Sequence, residues 1–165
     1  DLFNSAYTDE LTGLYNRRAY EEGLDRIRKD VPSEKRIVVA IFDVNGLKEV
    51  NDKLGHASGD EMLRGAASTI RSVYGSYGKC YRTGGDEFVV ILEEPVEKLS
   101  VLNESFEKAA EKWHGKQVAE LNISYGAALS EEVCSIDEQI ILADQRMYFA
   151  KKAYYQRIGK DRRNY

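Results

Sequence analysis

The sequence predicts an α+β domain whose core is a mostly antiparallel sheet flanked by helices, and three observations carry that prediction. Residues 37–42, Ile37-Val38-Val39-Ala40-Ile41-Phe42, are six consecutive apolar side chains, the mark of a strand buried on both faces. The run Arg82-Thr83-Gly84-Gly85-Asp86-Glu87-Phe88 sets two glycines between strand-like arms, and Val89-Val90-Ile91-Leu92 continues the second arm. Gly-Gly there reads as a hairpin, because glycine accepts the positive φ that two-residue hairpin turns demand. Around these strands lie four segments with apolar residues at helical spacing.

Taken in order, residues 16–29 read as a helix with Ala19, Leu24 and Ile27 inward, and residues 35–44 as the first core strand. Leu54-Gly55-His56-Ala57-Ser58-Gly59-Asp60 is a glycine-bearing loop leading into a second helix over 60–74. Met62, Leu63, Ala66, Ile70 and Val73 mark that helix's apolar face. Asp60 stands where an N-cap would, and His56 reads as a loop-packing histidine. Residues 79–83 and 87–92 are the hairpin arms, and Pro95 breaks the chain before a third helix over 96–113. Residues 116–129 read as a strand or strand pair containing Leu121, Ile123 and Tyr125. The last helix spans 135–155, with Ile136, Ile140, Ala143, Met147 and Ala150 toward the core. Stripped to its centre, the order is βαββαβ, the ferredoxin-like arrangement, with helices expected on one face of the sheet.

Composition narrows the function classes. At 165 residues the chain is one domain of ordinary size, and its net charge of −4 gives no basic footprint for duplex nucleic acid. Cys80 and Cys134 fit a reduced cytosolic protein better than a disulfide scaffold. No apolar stretch is long enough to span a membrane, and no signal peptide is visible.

Two places carry chemistry. The first strand delivers Asp43 at the sheet edge, where ligands and metals commonly sit. Adjacent carboxylates at Asp86 and Glu87 repel each other, and a divalent cation would relieve the repulsion, although an acidic, solvated hairpin fits the same residues.

These residues belong to a larger pattern. Asp9-Glu10-Leu11-Thr12-Gly13-Leu14-Tyr15-Asn16-Arg17-Arg18 opens it, and residues 43–60 and Gly84 to Phe88 continue it. Ser124-Tyr125-Gly126-Ala127-Ala128 and Ala143-Asp144-Gln145-Arg146-Met147-Tyr148-Phe149-Ala150-Lys151 close it. Five motifs in this order resemble the GGDEF domain, the catalytic module of diguanylate cyclases, over nearly the whole chain. A signature starting almost at residue 1 suggests that residues 1–165 are a single domain excised from a longer sensor protein.

The resemblance implies a palm-type fold and the condensation of two GTP molecules into cyclic di-GMP with release of pyrophosphate. It implies Mg²⁺ or Mn²⁺ at Asp43, Asp86 and the Val44 carbonyl, and a catalytic or hydroxyl-activating role for Glu87. Gly84 and Gly85 would let the backbone lie against the ribose and α-phosphate, and a side chain at either would obstruct the site or strain the turn. Asn51 and Asp60 correspond to the guanine readers; Asp accepts from guanine N1–H and N2–H₂, donors that adenine does not pair in the same way. Asp60 at this position favours GTP-only chemistry. Lys48 and Lys151 match phosphate-contacting lysines, and Leu47 a further substrate contact. The implied partners are GTP, a second copy of the domain and an upstream sensor domain. Nucleic acid and direct membrane contact are not expected. The location implied is cytoplasmic, with the whole protein free to be membrane-anchored.

The chain departs from the family pattern. Asn45 stands where a second acid is common, and Tyr155 where many relatives place an arginine; Arg157, Arg162 or Arg163 would have to substitute. The inhibitory product site common in the family needs an arginine and an aspartate, and Gly75 and Gly78 occupy those positions. Arg71 lacks a partner too, since Tyr74 stands three residues later. The alternative reading is a catalytically weak GTP-binding domain that regulates a neighbour.

Overall fold

The apolar run of the first strand becomes β1 (Val38–Val44), whose seven residues are all buried. The computed structural model describes residues 2–30, 36–93 and 99–159. Before β1 come α1 (Leu2–Tyr7) and α2 (Arg17–Asp30). After it come α3 (Leu47–Leu54), α4 (His56–Tyr74), β2 (Lys79–Arg82), β3 (Glu87–Leu92), α5 (Leu99–Lys112), β4 (Ile123–Leu129) and α6 (Ile136–Arg157). The sheet order is β2-β3-β1-β4 and every neighbouring pair is antiparallel, as βαββαβ requires.

Strand alternation splits the core in two. Val38, Ala40, Phe42 and Val44 point to one side with Phe88, Val90 and Leu92, against Met62, Ala66, Ile70 and Tyr74 of α4 and Phe106 of α5. The Phe42 ring meets those of Tyr74, Phe106 and Tyr125 at centroid distances of 5.6, 5.0 and 5.6 Å, an arrangement that fixes ring geometry as well as burying area. Val39, Ile41, Val89 and Ile91 point to the other side, against Tyr20, Leu24 and Ile27 of α2 and Ala143 and Met147 of α6. Helices therefore cover both faces, not one. A central strand with no polar face needs a layer on each side, and α2 and α6, outside the βαββαβ core, supply the second.

Other boundaries differ for local reasons. Residues 47–54 form a helix to which the sequence reading gave no element, with Gly46 and Gly55, at φ 78° and 94°, at its two ends, and the loop expected over 54–60 shrinks to Gly55. The next helix then starts at His56, so Asp60 lies in its second turn and is not an N-cap; Gly55 holds that place without a side-chain bond. His56 is exposed. The strand predicted over 116–129 begins at Ile123; ahead of it, Glu61 accepts the N–H groups of Lys116, Gln117 and Val118 at 3.1, 2.9 and 2.9 Å. Neither Gly84 nor Gly85 has positive φ, and the arms are joined by residues 83–86, not by two residues. A Cβ on Gly85 would meet open space, so the expected turn strain is absent. Lys35, Pro95, Val96, Arg162 and Arg163 lie outside the described residues.

Candidate active site

β1 and β3 pair so that Asp43 stands directly across from Glu87, and residues opposite each other share a sheet face. Asp86 precedes the first residue of β3, so strand alternation does not hold it to the opposite face. Its carbonyl accepts the Val44 N–H at 2.9 Å, which ties the loop to the end of β1. Three acids of the motifs thus converge at one end of the central strand pair.

The electrostatics there are unusual. Asp43 is buried, and Lys151 of α6 donates to its Oδ2 at 2.5 Å. Burial raises the Asp43 carboxyl to about 6; the Asp86 carboxylate adds to the rise and the Lys151 ammonium opposes it. Asp43 Oδ1 is buried with no hydrogen-bond partner. A buried carboxylate oxygen facing no donor, beside a second carboxylate, suits a hard divalent cation. Among the described residues no three His, Cys, Asp or Glu side chains form a metal cage, which leaves the two-carboxylate set that Mg²⁺ commonly takes. Glu87 accepts from the Thr83 hydroxyl at 2.6 Å, which fixes its orientation.

Lys151 is buried, with only 6% of its side chain exposed. Lys48 is exposed on α3, and Leu47 is half-buried at that helix's first position. Tyr155 is buried, and its hydroxyl accepts the Gly46 N–H at 3.3 Å, joining α6 to the turn after β1. Asn45 Nδ2 donates to Ser124 Oγ at 2.8 Å, so this departure from the family's acid anchors β1 to β4. Asn51 on α3 and Asp60 on α4 are half-buried on packed helices. Neither side chain makes a hydrogen bond or ion pair among the described residues. Gly75 and Gly78 flank the turn between α4 and β2; a Cβ on Gly78 would collide with the Ile91 carbonyl and stand 2.9 Å from Leu92 Cα.

Sequence reasoning missed what holds the glycine loop. Arg82 donates to the Gly85 carbonyl from Nε and Nη2 at 3.3 and 2.9 Å, and from Nη1 to both Asp9 oxygens at 3.2 Å. Asp9 Oδ2 in turn accepts the Thr12 N–H and hydroxyl at 3.0 and 2.7 Å. Arg17 donates to the Thr83 carbonyl at 3.0 Å. Asp9, Thr12, Arg17 and Arg82 all lie within the quoted motifs, but their partners are distant in sequence and no pattern pairs them.

Known proteins share this architecture. The FimX GGDEF domain from Pseudomonas aeruginosa superposes with a TM-score of 0.81 at 21% identity, covering 89% of this chain and 94% of that one, which speaks to fold. The coiled coil and GGDEF domain of DgcB from Caulobacter crescentus, solved in complex with c-di-GMP, gives 0.77 at 27% identity, covering 92% and 84%. In sequence, the chain is 36% identical to the probable diguanylate cyclase DgcI and 33% identical to the diguanylate cyclase DgcN, both from Escherichia coli K12. Those alignments take in 92% and 91% of this chain but 32% and 38% of the relatives, so the chain spans about a third of their length. Residues 6–157 match the family model described as diguanylate cyclase, GGDEF domain, and this chain, with the acids of that motif gathered at the end of β1, belongs to the GGDEF family.

Proposed function

We propose that the domain condenses two GTP molecules into cyclic di-GMP, with one GTP per protomer of a C2 dimer and two pyrophosphates released. The observation that carries the proposal is the buried, unpartnered Asp43 Oδ1 beside Asp86, in a site otherwise closed by Lys151. Asp43, Asp86 and the Val44 carbonyl would hold Mg²⁺ or Mn²⁺, which when bound neutralises phosphate charge and favours the attacking 3′-alkoxide. Glu87, oriented by Thr83, accepts the proton of the attacking hydroxyl. Asn51 and Asp60 take the guanine edge with side chains that have no internal partner to give up. Lys48 supplies positive charge to the β- and γ-phosphates, and Lys151 divides its three N–H donors between Asp43 and the triphosphate. Tyr155 brings no charge at the position where many relatives place an arginine. Gly84 and Gly85, both exposed and bare, leave the loop backbone open to the ribose.

The 3′-hydroxyl of one GTP must reach the α-phosphorus of the other, and a C2 pairing of two half-sites satisfies that requirement. An upstream sensor domain would set how often the pair forms. No helix among the described residues is long and apolar enough to cross a membrane. With a net charge of −4, neither duplex nucleic acid nor an anionic membrane surface is a proposed partner of the domain, and the GTP requirement points to the cytoplasm.

The second reading, GTP binding without turnover, is favoured by one observation: Lys151 already occupies Asp43 Oδ2. Incubation with GTP and Mg²⁺, followed by chromatography for cyclic di-GMP, separates the two on both the isolated and an artificially dimerised domain. Product from the dimerised form supports the cyclase. GTP binding without product in either form supports the regulator.

A further inference from the structure

Gly59 lies in the first turns of α4, buried, with φ outside the left-handed region, so its backbone conformation does not call for glycine. What calls for it is space. A Cβ built there would overlap Asn51 Oδ1, stand 2.8 Å from Asn51 Cγ and 3.3 Å from Leu47 Cδ1. Other crowded glycines meet something different: Gly126 faces the backbone of Met147 and Ala143, and Gly65 the Trp113 ring, so they serve packing. Gly59 alone among the described glycines has its three nearest atoms on two residues proposed to contact substrate.

We infer that Gly59 is a positioning residue for guanine selection. Its bare Cα lets the Asn51 carboxamide lie against α4, next in sequence to Asp60, so that the two polar groups that read the base are set by one close approach between α3 and α4. The inference rests on the guanine assignment above. No hydrogen bond holds the Asn51 side chain among the described residues, so an added methyl would turn it aside rather than unfold the helix. Alanine is also the better helix former at a position with ordinary helical φ.

Calorimetry of the whole chain with GTP and with ATP, in Mg²⁺, tests this on Gly59→Ala, Asn51→Ala and the double variant. The expected result for Gly59→Ala is a melting temperature at or above that of the native chain, GTP affinity reduced at least about tenfold, and a GTP-over-ATP preference reduced in step. The double variant should bind GTP no more weakly than Asn51→Ala, since a residue acting only through Asn51 has nothing left to act on. If Asn51→Ala weakens GTP and Gly59→Ala does not, the positioning role is overturned while the guanine assignment stands. Additive losses in the double variant overturn it as well. Unchanged GTP affinity in Asn51→Ala removes the guanine assignment and this inference with it.

Discussion

Lys151 Nζ reaches Asp43 Oδ2 across 2.5 Å, joining α6 to the end of the central strand through a pair whose side chains are 6% and 12% exposed. Removing one partner of such a pair strands the other, which costs about 3–5 kcal/mol, whereas neutralising both is far milder. Lys151→Met should therefore lower unfolding free energy by about 3 kcal/mol, and Lys151→Met with Asp43→Asn by less than about 1 kcal/mol. Urea denaturation of the three proteins measures both values. Equal losses in the single and double variants would show that the pair is not the cause.

Asp86 is the cleaner probe of metal, because it lies half-exposed in a loop outside the strands. Asp86→Ala should abolish cyclic di-GMP synthesis and Mg²⁺ binding while changing stability by no more than about 0.5 kcal/mol. Synthesis that survives with unchanged Mg²⁺ dependence removes Asp86 from the ligand set.

The structure takes helix capping away from Asp60, since α4 starts at His56. Asp60→Ala should leave the melting temperature unchanged or higher and weaken GTP at least about tenfold, roughly 1.4 kcal/mol. A lost cap would do the reverse, with a stability loss of about 1 kcal/mol and GTP binding intact.

Asp9 gives the fold an acid-sensitive joint. Burial works to raise its carboxyl, but the two hydrogen bonds from Thr12 and the charge of Arg82 outweigh it, and the net direction is down from 3.8. A carboxyl depressed in the folded state contributes stability above its unfolded range and loses it as pH falls through the folded value. Asp9→Asn should flatten the acid limb of the stability curve below about pH 4. Arg82→Ala should speed amide exchange over residues 83–87 and reduce turnover, because the Gly85 carbonyl loses two donors. Exchange equal to that of the native chain would mean the loop is held without Arg82.

Gly78 is closed to any side chain by the Ile91 carbonyl and Leu92. Gly78→Ala should cost about 2 kcal/mol or more, and the native domain should show no tight binding when titrated with cyclic di-GMP. Submicromolar affinity accompanied by loss of cyclase activity would overturn the expectation.

How much of this the sequence carried depends on the range of each interaction. The βαββαβ order was legible because strand alternation and hairpin pairing are local patterns, whereas the register that sets Asp43 across from Glu87 joins residues distant in sequence. The same residues 37–42 that marked a strand buried on both faces already implied two helical layers, a consequence the one-face expectation did not take. The helix over 47–54 was hidden because Gly55 read as loop punctuation, whereas glycines at φ 78° and 94° flank it. Asp60 as N-cap was a casualty of that shift. Lys151 on Asp43 spans 108 residues, and Arg82 on Asp9 spans 73. No periodicity links such pairs.

Tyr15 has a consequence for the sheet as a whole. Its N–H donates to the Cys80 carbonyl at 3.2 Å and its carbonyl accepts from the Arg82 N–H at 2.8 Å, on the side of β2 away from β3. Those are outward-facing groups that an unprotected edge strand would offer to another chain. With both engaged by the segment between α1 and α2, these two groups are withheld from any neighbouring molecule. The proposed pairing of two copies, active site against active site, would then meet less competition on this side from association in which two sheets join edge to edge.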